Sequence, residues 1–147
     1  MNAQQQVIPQ GRYVPATRGD NLIFTAGMTP RKNGVLLMSG KIRSSDELAV
    51  YRDIARQAAG NAVNAARNIL NDGEKLSQVL SLSVFVNAET GYTQHSKLAD
   101  FISDYLYEEL GDVGIGSRTA VGVASLPGDA PLEVQMVFLV GLVTGKQ

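Results

Sequence analysis

Two ionised side chains, Arg118 and Glu133, stand out in a C-terminal stretch that is otherwise small or apolar, Ser117-Arg118-Thr119-Ala120-Val121 and Leu132-Glu133-Val134-Gln135-Met136-Val137-Phe138. A charged group in a strand is tolerated when it faces water, a partner or a ligand. Arg118 therefore reads either as a solvated arginine or as a planar fork that grips a carboxylate with two parallel hydrogen bonds at any working pH. Glu133 reads either as the solvent-facing member of an alternating strand or as a carboxylate that orients water and relays a proton. Tyr13, at the opening of an apolar run, offers packing or a ligand contact. His95 is the single histidine and lies at the head of an apolar helical stripe, which favours packing at an edge or interface over general-base work. Gly27 closes a strand and serves a turn or a close approach of backbone to ligand. Lys41 and Arg43 read as solvated.

The elements that carry these residues follow from periodicity and turn chemistry. Tyr13-Val14-Pro15-Ala16-Thr17 and Leu22-Ile23-Phe24-Thr25-Ala26 flank Arg18-Gly19-Asp20-Asn21, which predicts a hairpin. Asn33-Gly34 marks a turn before a short strand at Val35-Leu36-Leu37-Met38. Ser44 and Glu47 have the spacing of a capping box ahead of a helix whose apolar face, Leu48, Tyr51, Ala55, Ala58, Ala62, Ala65 and Ile69, is mostly small. Asn71-Asp72-Gly73 stops it. A strand over Val79 to Val86 is expected to bury Leu80, Leu82, Val84 and Val86. A second helix carries Leu98, Phe101, Ile102, Tyr105, Leu106 and Leu110 on one stripe and ends at Gly111.

The order of strands, helix, strand, helix, two strands predicts an α+β layer with both helices on one face of a mixed sheet. Leu126, Leu132, Val134, Met136 and Phe138 then leave the other face needing cover, for which self-association is the economical answer. If the last two strands form a hairpin centred near Asp129, Glu133 opposes Ser125 and Arg118 lies seven residues further on, about 24 Å away at ~3.4 Å per residue. One small molecule could then meet both residues only between neighbouring subunits.

The 147 residues suit one domain, with the first eight expected to be loosely ordered. There is no cysteine, which excludes a disulfide framework, a thiolate nucleophile and a cysteine metal site. A net charge of −1 and a pI near 5.8 give no basic footprint for nucleic acid. The start lacks the pattern of a signal peptide and no apolar run reaches the length of a membrane span, so a soluble cytoplasmic protein is expected.

Several stretches together resemble one family. Gly11-Arg12-Tyr13-Val14, Leu22-Ile23-Phe24-Thr25-Ala26-Gly27, Val84-Phe85-Val86-Asn87, and Ser117-Arg118-Thr119-Ala120-Val121 running through Leu126-Pro127 to Leu132-Glu133-Val134 are similar to the RidA (YjgF) family, nearest its chorismate-mutase-like branch with the older name endoribonuclease. The match extends from about Tyr13 to Val140. The resemblance implies a chorismate-mutase-like fold, a homotrimer with ligand clefts between subunits, and no cofactor. It also implies hydrolytic deamination of reactive enamine or imine acids to a 2-oxo acid and ammonia. By position, Arg118 would clamp the substrate carboxylate, Glu133 would hold water, Tyr13 would wall the cleft, and the backbones of Gly27 and Ala120 would make contacts. The chain departs from the deaminase pattern where it carries Ala26 for serine, Ala120 for cysteine and Ser96 for asparagine. The rival expectation is a non-catalytic trimeric protein binding a small carboxylate. Ribonuclease activity or translation inhibition, which the family's older names suggest, is disfavoured by the acidic pI.

Overall fold

The computed structural model describes residues 6–144. The expected loose order of residues 1–5 lies outside them. Five strands form the main sheet: β1 (Ala16–Gly19), β2 (Leu22–Thr25), β5 (Glu74–Asn87), β6 (Ser117–Val123) and β7 (Leu132–Leu142), in the spatial order β1-β2-β7-β5-β6. Two-residue strands β3 (Arg31–Lys32) and β4 (Val35–Leu36) make a separate hairpin. Helices α1 (Arg52–Arg67) and α2 (His95–Leu110) cover one face of the sheet. Alanines 55, 58, 59, 62, 65 and 66 of α1 are all buried, so the helix axis lies close to the strands beneath it. The expected α+β layer with both helices on one side is the fold observed.

The C-terminal hairpin is not. β6 and β7 are not neighbours, because β5 runs between them, parallel to β6 and antiparallel to β7. The segment from Ala124 to Pro131 therefore crosses over a whole strand, helped by a short 3-10 turn at Pro127–Asp129. Local turn chemistry at Pro127-Gly128-Asp129 reverses the chain, but the partner that offers a 14-residue strand to pair with is β5.

The second consequence concerns faces. Leu132, Val134, Met136 and Phe138 are fully buried beneath the helices, so they are not the residues that leave the opposite face uncovered. That open face carries Phe24 and Val121, 43% and 41% exposed, with half-buried Phe85 and Val137 between them. The need for cover survives on different residues. Along β5 the alternation breaks at a bulge between Val79 and Ser81, which buries Val79 and turns Leu80 outward, contrary to the simple period of two.

Three local expectations also shift. Asn33 and Gly34 both take positive φ, as the turn signal requires, but the strand after them pairs with β3 rather than joining the main sheet. Ser44 does not cap: its N–H donates to Glu89 Oε2 at 2.8 Å, while Asp46 accepts from Arg43 N and the Tyr51 hydroxyl, and the helical chain starts at Leu48. The tertiary partner on the far side of Asn87 outcompetes the local box. Finally β1 begins at Ala16, because Pro15 has no N–H to give, and leaves Tyr13 in the bend before it.

Asn87, at the end of β5, is completely buried and ties the crossover together. Its Oδ1 accepts from Lys41 Nζ at 2.9 Å, and its Nδ2 donates to Asp129 Oδ1 and Ala130 O, both at 3.0 Å. Its N–H donates to Pro131 O, and its carbonyl accepts from Ile42 N. Lys41 also donates to Ala124 O at 2.8 Å. Replacing Asn87 with alanine leaves the buried Ala130 carbonyl without its side-chain donor and removes the links to Lys41 and Asp129, at about 1–3 kcal/mol. Asn87→Ala should lower the thermal midpoint by roughly 3–10 °C, followed by circular dichroism; an unchanged midpoint would show that the knot does not hold the crossover.

Candidate functional site

The residues singled out from the sequence fall into two groups. The first surrounds Glu133 at the start of β7. Its neighbour Val134 exchanges backbone hydrogen bonds with Met28, 2.7 and 2.8 Å, which lays the chain after β2 beside β7. Gly27 then passes so near that a Cβ there would stand 1.9 Å from Glu133 Oε2. A side chain at that position would displace the Glu133 carboxylate, so the glycine lets backbone and carboxylate lie in contact, one of the two roles that the spacing left open. Tyr13, half exposed, accepts a hydrogen bond at its hydroxyl from Gln10 N at 3.0 Å. Together with Ala26, Thr29, Arg31 and Pro127 these residues line an open cleft of about 360 Å³.

Burial pushes the Glu133 carboxyl above its ordinary pKa, and no cation beside it opposes the shift. Its carboxylate therefore sits in an environment that favours proton uptake, which suits a group that accepts a proton from water.

The second group lies at the β6 edge of the sheet. Arg118, on β6, reaches α2: Nη1 donates to Asp100 Oδ1 at 2.8 Å and Ser103 Oγ at 3.0 Å, and Nη2 to Ser96 Oγ at 2.8 Å and Ser96 O at 3.2 Å. The Asp100 side chain is 61% exposed, so that pair is a weak one. Ala120 sits half-buried two residues along on the same face. His95 begins α2 with its ring edge-on to Tyr92, centroids 5.3 Å apart, and with Lys41 and Gly122 it lines a separate cleft. That is the packing position its place on the stripe predicts.

Arg118 and Glu133 do not meet within the chain. Phe85 pairs with Val121 on one side and Glu133 on the other, so these two share a face, whereas Arg118, three residues from Val121, points to the opposite one. Three residues along and two strand spacings across give about 14 Å between their Cα positions. The hairpin estimate of about 24 Å was too long because it omitted β5, but the separation itself stands, reinforced by the change of face.

Sequence reasoning passed over Arg31. It lies in the polar loop before Asn33-Gly34, where a solvated arginine is the ordinary expectation, and only the closeness of that loop to Gly27 could have drawn attention to it. Among the described residues no group of three or more histidine, cysteine or acidic side chains could hold a metal ion, and no helix is long and apolar enough to cross a membrane.

The model of the family described as "Endoribonuclease L-PSP" matches residues 3–140. Protein TCP17 of Trypanosoma cruzi is 31% identical over 127 residues, covering 86% of this chain and 79% of that protein. Among solved structures, the protein Atu1372 of Agrobacterium tumefaciens, of unknown function, superposes with a TM-score of 0.79 at 26% identity over 88% of this chain and 82% of its own. A candidate endoribonuclease of Shewanella oneidensis gives 0.80 at 24% identity, over 90% and 88%. The last of these speaks for the fold.

The shift at Glu133 has a measurable sign. A carboxyl whose folded pKa is raised lends stability below its unfolded value, and that contribution is lost as pH rises through the folded value. Wild-type stability should therefore fall relative to Glu133→Gln as pH rises above about 4.3, so that the thermal midpoint of the variant gains on that of wild type between pH 4 and 7. Parallel melts of the two proteins from pH 4 to 8 check this; a difference independent of pH would place Glu133 in water.

Proposed function

Because the chain belongs to the endoribonuclease L-PSP (RidA/YjgF) family, we propose that it is a hydrolytic deaminase that converts reactive 2-imino acids and their enamine tautomers into 2-oxo acids and ammonia. The observation that carries this reading is Glu133, a desolvated carboxyl held against Gly27 in an open cleft. A water placed there gives a proton to Glu133 as its oxygen bonds to C2 of the imine. Glu133 returns that proton to nitrogen, which gives the carbinolamine; Glu133 then takes the hydroxyl proton and passes it to nitrogen, the C2–N bond breaks, and ammonia leaves as the C2 carbonyl forms. Imine plus water balance to oxo acid plus ammonia with no change in oxidation state. An enamine first takes a proton at C3.

The substrate carboxylate is assigned to Arg118 of a neighbouring subunit in a homotrimer. Two observations support this: the opposite facing of Arg118 and Glu133 within one chain, with about 14 Å between their Cα positions by strand geometry, and the apolar open face around Phe24 and Val121, which a second copy would cover. Ser96 steadies the Arg118 fork, and its exposed partner Asp100 competes weakly with a ligand carboxylate. Tyr13 walls the cleft, while the backbones of Gly27 and Ala120 supply contacts that need no side chain. RNA cleavage, the activity in the family's name, lacks the basic surface that phosphate contacts require in a chain of net charge −1.

A non-catalytic carboxylate-binding role is favoured by one observation. Alanines 26 and 120 stand where the site could have carried hydroxyl or thiol groups, so binding needs fewer of the residues present than turnover does. Ammonia release from freshly generated 2-iminobutanoate decides between them. The protein should accelerate it, Glu133→Gln should cost about 10²–10⁴-fold and Arg118→Ala about 10–100-fold in kcat/KM. The acid limb of the pH profile should be displaced upward from that of an ordinary glutamate and vanish in Glu133→Gln. No acceleration with saturable, Arg118-dependent binding of 2-oxobutanoate favours the binder; an unchanged rate in Arg118→Ala removes the clamp.

A further inference from the structure

Each half-buried arginine other than Arg31 has a carboxylate partner among the described residues: Arg18 with Glu74, Arg56 with Glu108, Arg67 with Glu109 and Arg118 with Asp100. Arg31 has none. Its Nη1 donates to Gly34 O at 3.0 Å, closing the β3–β4 turn. Its Nε is buried without any hydrogen-bond partner, and Nη2 has none among the described residues. A desolvated cation without a counter-charge is costly, and such a group marks a place where an anion is expected.

The position is held, not loose. The Arg31 carbonyl accepts from Asn61 Nδ2 at 2.8 Å, and Asn61 is a buried residue of α1. On the other side the guanidinium rests over the Pro127–Asp129 turn, where Nη2 stands 3.3 Å from the place a Gly128 Cβ would occupy. The edge left without acceptors is the one formed by Nη2 and the buried Nε, whose two N–H groups are parallel and match the two oxygens of a carboxylate. That arginine lines the same cleft as Glu133.

We propose that Arg31 holds an acidic group of the ligand in the Glu133 cleft, and that the cleft takes a short dicarboxylic substrate, a 2-imino diacid, in preference to a monocarboxylic one. The second half of this rests on the deaminase reading, in which Arg118 of a neighbouring subunit takes the carboxylate next to the reacting carbon. Arg31 then takes the distal one, and Glu133 lies in the cleft with the carbon under attack.

Succinate and butyrate, equal in carbon count and differing by one acid group, test it by calorimetry on the intact protein. Iminosuccinate and 2-iminobutanoate test it by ammonia release. Wild type should favour the diacid by about 10-fold or more in both, the worth of one charge-assisted contact. Arg31→Gln should bring both ratios to within about threefold of one. Should that variant not fold, Arg31→Lys carries the test: its point charge lacks the fork, so the ratio should drop by about threefold or more. A wild-type ratio near one, or variants that weaken both ligands equally, overturns the assignment. An Arg31-dependent succinate preference without turnover of any imine upholds Arg31 and sinks deamination; turnover of 2-iminobutanoate with no diacid preference does the reverse.

Discussion

The site geometry of this protein depends on β5 lying between β6 and β7. Fourteen residues long, it supplies hydrogen-bond partners to both flanking strands and buries Leu82, Val84 and Val86 beneath the helices. Its insertion forces the chain from Ala124 to Pro131 to cross over it. Asn87, sealed in the interior, satisfies the polar groups that this crossing exposes. Across β5, Arg118 and Glu133 lie on opposite faces of the sheet, so each must do its chemistry with different neighbours.

Charge is distributed accordingly. Arg118 is met by α2 and shares its protons with Asp100, Ser96 and Ser103. Glu133 is met by the backbone of Gly27 and by burial, which raises its affinity for a proton. Arg31 approaches the same cleft with two nitrogens unused. An acid without a cation and a cation without an acid, lining one cleft and not paired to each other, form a surface suited to a ligand that carries its own charge and reacts with water. The alanine-rich face of α1 brings the helix down onto the sheet, and its Asn61 fixes the arm that bears Arg31.

Much of the fold was legible in the amino acids. The two helices, the small face of α1, the β1–β2 turn and the positive-φ turn at Asn33-Gly34 all follow from local propensity and spacing. So does the packing place of His95. The unread parts share a cause. Strand pairing between β5 and β6, and between β5 and β7, joins residues far apart in the chain, and a turn motif such as Pro127-Gly128-Asp129 reports that the chain bends without reporting what it bends around. The bulge in β5 that buries Val79 instead of Leu80 is likewise a feature of pairing.

For the candidate site, the sequence by itself determined the chemical inventory: one arginine and one glutamate in apolar strands, a tyrosine, a glycine closing a strand, and no cysteine. Residue type is local, and so is the alternation that sets which side chains along one strand share a face. Tertiary structure alone decided which of them share a cleft. It placed Gly27 against Glu133, turned Arg118 to the far face and left Arg31 without a counter-ion, because proximity across strands and the desolvation of a charge are set by the packing of distant segments, which no local pattern encodes.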